Sequence, residues 1–226
     1  MPPRTLTRAG HVDKRPTRLA RTEAVEQGCV RVSAQDPERM LLFQYGSNMS
    51  VERLRAKLGE FRRYAPREAS LEVELLGAAR LPGWQFVLDL YSAQQHCLVG
   101  DIIEGGDGDE VWGALYELDC ELVFRSDGAR SLLDRIEGHR TVSDPENYRP
   151  RRISVELNEE LREAWTYIGH EEARQRCNSR RGDARPRRDY INAILDGARS
   201  LALPSEYVRV LTRAIEIHAA SGNDSL

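Results

Sequence analysis

Apolar and polar positions change period several times along the chain. Met40-Leu-Leu-Phe-Gln-Tyr45 is a short apolar run of strand type, and the glycine turn Gly46-Ser47-Asn48 follows it. Residues 50–58 switch to helical spacing, with Ser50 placed as the N-cap. Residues 71–80, 84–91, 96–104 and 111–118 read as strands, separated by the Pro82-Gly83 turn and the tight glycine-aspartate loop at 105–109. Gly113, inside the last of these, predicts a bulge or a close backbone approach. Residues 129–137 read as a short helix closed by Gly138. Residues 152–157 and 163–168 predict a hairpin, and 189–200 and 205–218 two helices separated by Leu203-Pro204. Strands dominate the middle and helices the C-terminus, so the reading is an α+β fold with a curved or closed sheet and helices packed on it.

The segment before Met40 behaves differently. Its first 21 residues carry Arg4, Arg8, Lys14, Arg15, Arg18 and Arg21 against a single acid, Asp13, and prolines break the weak periodicity. Residues 1–39 therefore read as a basic, disordered arm, 40–220 as one folded domain and 221–226 as a disordered tail. The arm has no apolar run of a secretory signal; its arginine-rich, acid-poor composition also fits a transit peptide, and Met40 is an alternative start. The 226 residues suffice for one such domain but not two of ordinary size.

Composition narrows the function classes. The net charge of −3 argues against a dedicated nucleic-acid binder, and no apolar run approaches the ~20 residues of a membrane helix. The 31 arginines against 2 lysines read as compositional bias. Cys29, Cys97, Cys120 and Cys177 form no CxxC pair, so free thiols and a cytoplasmic location are expected. The five histidines show no HxH or HExxH spacing, so no metal is expected, and no G-x-S-x-G elbow supports a serine nucleophile.

Two places suit chemistry. At Tyr45-Gly46-Ser47-Asn48 a strand runs through a turn into a helix, where outward N–H groups favour an anion such as a carboxylate. Glu137 ends a helix beside the apolar set Leu132, Leu133 and Ile136; the negative end of the helix dipole is expected to raise its pKa, as a general acid/base requires. Asp134 and Glu110 are rival carboxylates. Trp84, Trp112 and Trp165 read as core or rim.

The ordered set Phe43-Gln-Tyr-Gly-Ser-Asn-Met49, Ala79-Arg-Leu-Pro-Gly-Trp84, Gly108-Asp-Glu-Val-Trp-Gly-Ala-Leu-Tyr116, Leu133-Asp-Arg-Ile-Glu-Gly138, Tyr148, Tyr190 and Leu203-Pro-Ser-Glu-Tyr207 resembles the gamma-glutamylcyclotransferase family over about residues 41–210. That resemblance implies a small mixed β-barrel flanked by helices. It also implies conversion of an L-γ-glutamyl compound to 5-oxoproline with release of the amine, without a cofactor. It implies Tyr45, Gly46, Ser47 and Asn48 as the loop gripping the glutamyl group, Glu137 as the general acid/base, and Tyr148 and Tyr190 as pocket residues. Segments 119–128 and the stretch before Tyr190 are longer than the family pattern, which bears on substrate choice.

The implied substrates are γ-glutamyl peptides, γ-glutamylamines or a γ-glutamyl group on a carrier protein, in glutathione metabolism or a biosynthetic step. Seven arginines between Arg174 and Arg188 are placed on a loop at the pocket entrance, where they would steer an anionic substrate or an acidic carrier protein. A homodimer is compatible with the sequence. The second reading is a non-catalytic binding or adaptor module whose basic segments contact an acidic protein or nucleic acid. Neither basic segment has the interleaved aromatics of a single-strand binder.

Overall fold

The computed structural model describes residues 39–92, 95–139, 147–180 and 184–220. The arm, apart from Arg39, and the tail at 221–226 lie outside them.

Among the described residues seven strands, β1 (Arg39–Gln44), β2 (Val73–Pro82), β3 (Trp84–Ser92), β4 (Cys97–Glu104), β5 (Glu110–Asp119), β6 (Tyr148–Leu157) and β7 (Glu160–Gly169), combine with five α-helices. The helices are α1 (Val51–Glu60), α2 (Leu132–Ile136), α3 (Glu171–Arg180), α4 (Arg188–Ser200) and α5 (Ser205–Ala220). Five strands close into a barrel in the order β1-β5-β2-β6-β7, and β3 and β4 form a separate antiparallel pair. The barrel is mixed, because β1 and β7 run parallel, Leu42 opposite Trp165, while the other pairs are antiparallel. It is the closed sheet with flanking helices that the pattern implies.

β1 is the central staff of the barrel. Met40, Leu42 and Phe43 are almost wholly buried, because β1 lies between β5 and β7. Gly113 has the predicted close approach: a Cβ there would stand 2.3 Å from the carbonyl oxygen of Gln44. The last residue of β1 thus lies directly against β5. Beyond it the turn is closed by the N–H of Met49 donating to Gly46 O at 3.1 Å, and Ser50 caps α1 by accepting the N–H of Arg53.

Two expectations are corrected. The Glu137 helix is shorter than 129–137: it begins after Ser131, which forms a reciprocal capping box with Asp134, and Glu137 is its C-cap residue. Gly138 follows at φ +75, the conformation that ends the helix. The arginine-rich stretch is not one loop. Residues 171–180 are helical, because Gly182 and Pro186 fall after them and do not interrupt Glu, Ala, Gln and Arg. Arg174 does not overhang an entrance. It reaches Asp89 Oδ2 at 3.2 Å and the buried carboxylate of Asp101, tying α3 to β3 and β4.

Candidate active site

The turn after β1 and the C-cap of α2 meet at Glu137. Its Oε1 accepts Asn48 Nδ2 at 2.9 Å and Gln44 Nε2 at 3.3 Å. Gln44 ends β1 and Asn48 lies in the turn that follows, so β1 and its exit aim the donors and the end of α2 supplies the acceptor. Glu137 is half-buried by area, yet protein surrounds the carboxyl closely enough that burial is the largest influence on its pKa and pushes it up. Lys57 on α1 and the two amides pull the other way. The rise expected from the sequence is present, with desolvation as its leading cause.

The turn itself is underused. The N–H groups of Gly46, Ser47 and Asn48, and Ser47 Oγ, meet no acceptor or donor among the described residues. Asn48 Oδ1 is buried without a partner. The exit of the turn is fixed by Tyr116, whose hydroxyl donates to Met49 O at 2.7 Å. A turn held at its ends with free donors between is a cradle for a carboxylate or an oxyanion.

Three tyrosines close the remaining sides. The Tyr45 hydroxyl donates to Tyr167 O at 2.6 Å and lies 3.4 Å from Asp101 Oδ1. Tyr148, from β6, donates to Gly100 O, and Tyr190, from α4, accepts the Gly100 N–H at 2.8 Å. A Cβ on Gly46 would lie 3.7 Å from that Tyr190 hydroxyl, so Tyr190 stands over the turn. Burial pushes all three phenols up, and Glu137 acts on each electrostatically. They remain neutral donors at any ordinary pH.

The structure thus brings Tyr45, Gly46, Ser47, Asn48, Glu137, Tyr148 and Tyr190 together. The Tyr45 hydroxyl is spent on internal bonds, so this side chain builds the wall while its neighbours keep the free donors. The rival carboxylates are structural: Asp134 accepts Ser131 N–H and Tyr167 hydroxyl, and Glu110 pairs with Arg80 and accepts Trp112 Nε1. Sequence reasoning missed Gln44, Lys57, Arg53, Gly100 and Asp101. Gln44 left a trace, as the one polar side chain in the run from Met40 to Phe43 and beyond to Tyr45.

The model of the AIG2-like family matches residues 110–211, the span that carries Glu137, Tyr148 and Tyr190. Over that span the chain is similar to the AIG2-like family. Solved structures extend the likeness to the rest of the domain. A gamma-glutamyl cyclotransferase is 22% identical with a TM-score of 0.54, and 77% of this chain covers 87% of that one. An uncharacterized protein from Homo sapiens is 24% identical at 0.57 with the same coverages. YkqA from Bacillus subtilis is 21% identical at 0.55, over 79% of this chain and 54% of that one. These likenesses show the fold. No curated protein matches the chain.

Proposed function

We propose that the protein is a γ-glutamyl cyclotransferase that converts an L-γ-glutamyl compound to 5-oxoproline and the free amine. The observation that carries this reading is Glu137: a carboxylate aimed by Asn48 and Gln44, with its pKa raised by burial, beside a turn whose N–H groups are free.

A γ-glutamyl compound contains its own nucleophile, the α-amino nitrogen. The protein needs to fold the chain for attack, move protons from the α-nitrogen to the departing nitrogen and stabilise one oxyanion. Holding the amine against the γ-carbonyl supplies an effective molarity on the order of 10⁵ M or more. Ionised Glu137 takes a proton from the α-ammonium group. The freed nitrogen attacks the γ-carbonyl carbon, forming the ring C–N bond and a tetrahedral oxyanion. Glu137 returns that proton to the departing nitrogen as the original amide C–N bond breaks, and the ring nitrogen gives up its second proton to the released amine, which leaves as an ammonium, so that the ring closes as a neutral lactam. A raised carboxyl pKa brings acid and base forms closer in population near neutrality, which suits a group that must do both. Tyr190 and the turn N–H groups divide the oxyanion and the α-carboxylate between them.

The test is mass-spectrometric detection of 5-oxoproline from a panel of L-γ-glutamyl dipeptides, γ-glutamylamines and a γ-glutamyl carrier-protein conjugate. Turnover of at least one member, reduced at least ~10²-fold in Glu137→Gln, is the expected outcome. No product across the panel from folded protein, or equal product from the variant, overturns the reading.

A further inference from the structure

β4 carries a charged side chain in its most buried stretch. Every residue from Cys97 to Ile102 is buried, Asp101 among them. Its Oδ1 accepts the Gly169 N–H at the end of β7, at 2.8 Å, and its Oδ2 pairs with Arg174 of α3. The same guanidinium reaches Asp89 Oδ2 on β3 at 3.2 Å. The backbone leaves room for this carboxylate, because a Cβ on Gly169 would overlap it. As a device for stability the arrangement is poor. Two carboxylates share one guanidinium, Asp89 Oδ1 is buried without a partner, and apolar groups of the same volume hold a core as well or better.

The other side of Asp101 faces the candidate site. The Tyr45 hydroxyl lies 3.4 Å from its Oδ1. The preceding residue, Gly100, holds the other two phenols: its carbonyl accepts Tyr148 and its N–H donates to Tyr190 at 2.8 Å. A Cβ on Gly100 would stand 2.7 Å from the Phe86 ring, so β4 is already pressed against its neighbours there. Three phenols around the turn at 46–48 therefore depend on two consecutive residues of β4. One carboxylate ties those two residues from behind to α3 and to the end of β7. Asp101 is not among the groups that act on Glu137, so its influence passes through the phenols and not through the proton carrier.

We propose that Asp101, anchored by Arg174 and Gly169, is a positioning residue for the cyclisation: it fixes the segment of β4 that holds Tyr148 and Tyr190, and so sets their distance from the turn. The inference rests on the cyclotransferase reading. Asp101 itself touches no reacting atom. An amide in its place still accepts the Gly169 N–H but turns its own N–H groups toward the guanidinium, donor against donor, and the tether to α3 is lost.

The test measures kcat and KM for 5-oxoproline release by the full chain, Asp101→Asn, Tyr148→Phe and the double variant, on the panel member that the full chain turns over fastest. Each protein is assayed below its melting temperature. Asp101→Asn is expected to lower kcat on the order of 10-fold while KM stays within about threefold, since the turn that grips the glutamyl head is untouched. The double variant is expected to lose less than the product of the single losses, by at least about threefold, because the displaced ring no longer carries a hydroxyl. Arg174→Lys loosens the same tether with the charge kept, and gives the same pattern with a smaller loss even where Asp101→Asn does not fold. A folded variant with wild-type kcat and a lowered melting temperature, or losses that multiply in full with Tyr148→Phe, overturns the positioning role and leaves the cyclotransferase reading standing. Absence of 5-oxoproline from the wild-type chain across the panel overturns both.

Discussion

The hydroxyl of Tyr190 accepts the backbone N–H of Gly100 at 2.8 Å. Because that bond occupies an oxygen lone pair, the phenolic proton remains available, and it lies over the turn at Gly46. The carbonyl of the same Gly100 accepts Tyr148, so one residue of β4 sets the height of both rings. Tyr190→Phe removes a donor to developing negative charge and leaves the buried Gly100 N–H without a partner. The expected result is a fall in kcat on the order of 10²-fold together with about 1–3 kcal/mol of lost stability, read from steady-state kinetics and a denaturant titration on the same sample. Unchanged kcat with lowered stability would reduce Tyr190 to a wall residue.

Glu137 stands above its usual pKa chiefly because it is desolvated. The folded state therefore binds a proton more readily than the unfolded state. The charged carboxyl costs stability above the folded pKa. That cost is relieved as pH falls through the folded pKa and is gone below the unfolded value. Glu137→Gln keeps an acceptor for Asn48 and Gln44 and removes the charge. It is expected to raise the melting temperature at neutral pH, with the gain vanishing in acid. A melting temperature lowered at every pH would show that Lys57 and the amides outweigh the burial.

The succession of strands through the middle of the chain, the turn after β1 and the cap of α1 were legible because they depend on local features. Apolar runs, the Pro82-Gly83 and Gly138 punctuation and Ser50 all act within a few residues. The close approach at Gly113 was legible as an anomaly, a glycine inside a strand. The partners of Glu137 were not, because Gln44 and Asn48 lie about 90 residues upstream and no periodicity reports such a separation. Lys57 and Arg53 were hidden for another reason. On an amphipathic helix with Leu54 and Leu58 inward, charged neighbours look solvated until α2 is in place beside α1.

Arg174 illustrates the same limit and carries its own consequence. Its charge was read as part of an exposed run, yet it neutralises Asp101, which is 0% exposed, and Asp89. Removing it as Arg174→Met strands two neighbouring carboxylates. The loss expected at neutral pH is about 3–5 kcal/mol, the cost of breaking a buried pair from one side. Burial already pushes both carboxyl pKa values up. Without the arginine they rise further, so the penalty applies above the folded pKa values and shrinks as pH falls and the acids protonate. Denaturant midpoints across an acid-to-neutral series measure this. A loss independent of pH would assign the effect to packing.

Gly113 couples the barrel to the catalytic proposal through a single contact. A methyl group there would stand 2.3 Å from Gln44 O and 3.0 Å from the ring of Phe43. Both are parts of the buried β1, which cannot retreat without disturbing its pairing with β5 and β7. Gly113→Ala must therefore push β1 away from β5 where the Gln44 side chain points at Glu137. The overpacking cost is about 1–3 kcal/mol. A displacement of Gln44 and Asn48 on the order of 1 Å costs activity on the order of 10²-fold, more than the stability loss explains. Measured well below its melting point, the folded variant is expected to show a lowered kcat and a shifted acid limb in its pH–rate profile, because the amides that hold Glu137 down no longer meet it at the same distance. A folded Gly113→Ala protein with wild-type kcat and pH profile would show that β1 can yield without moving its polar end.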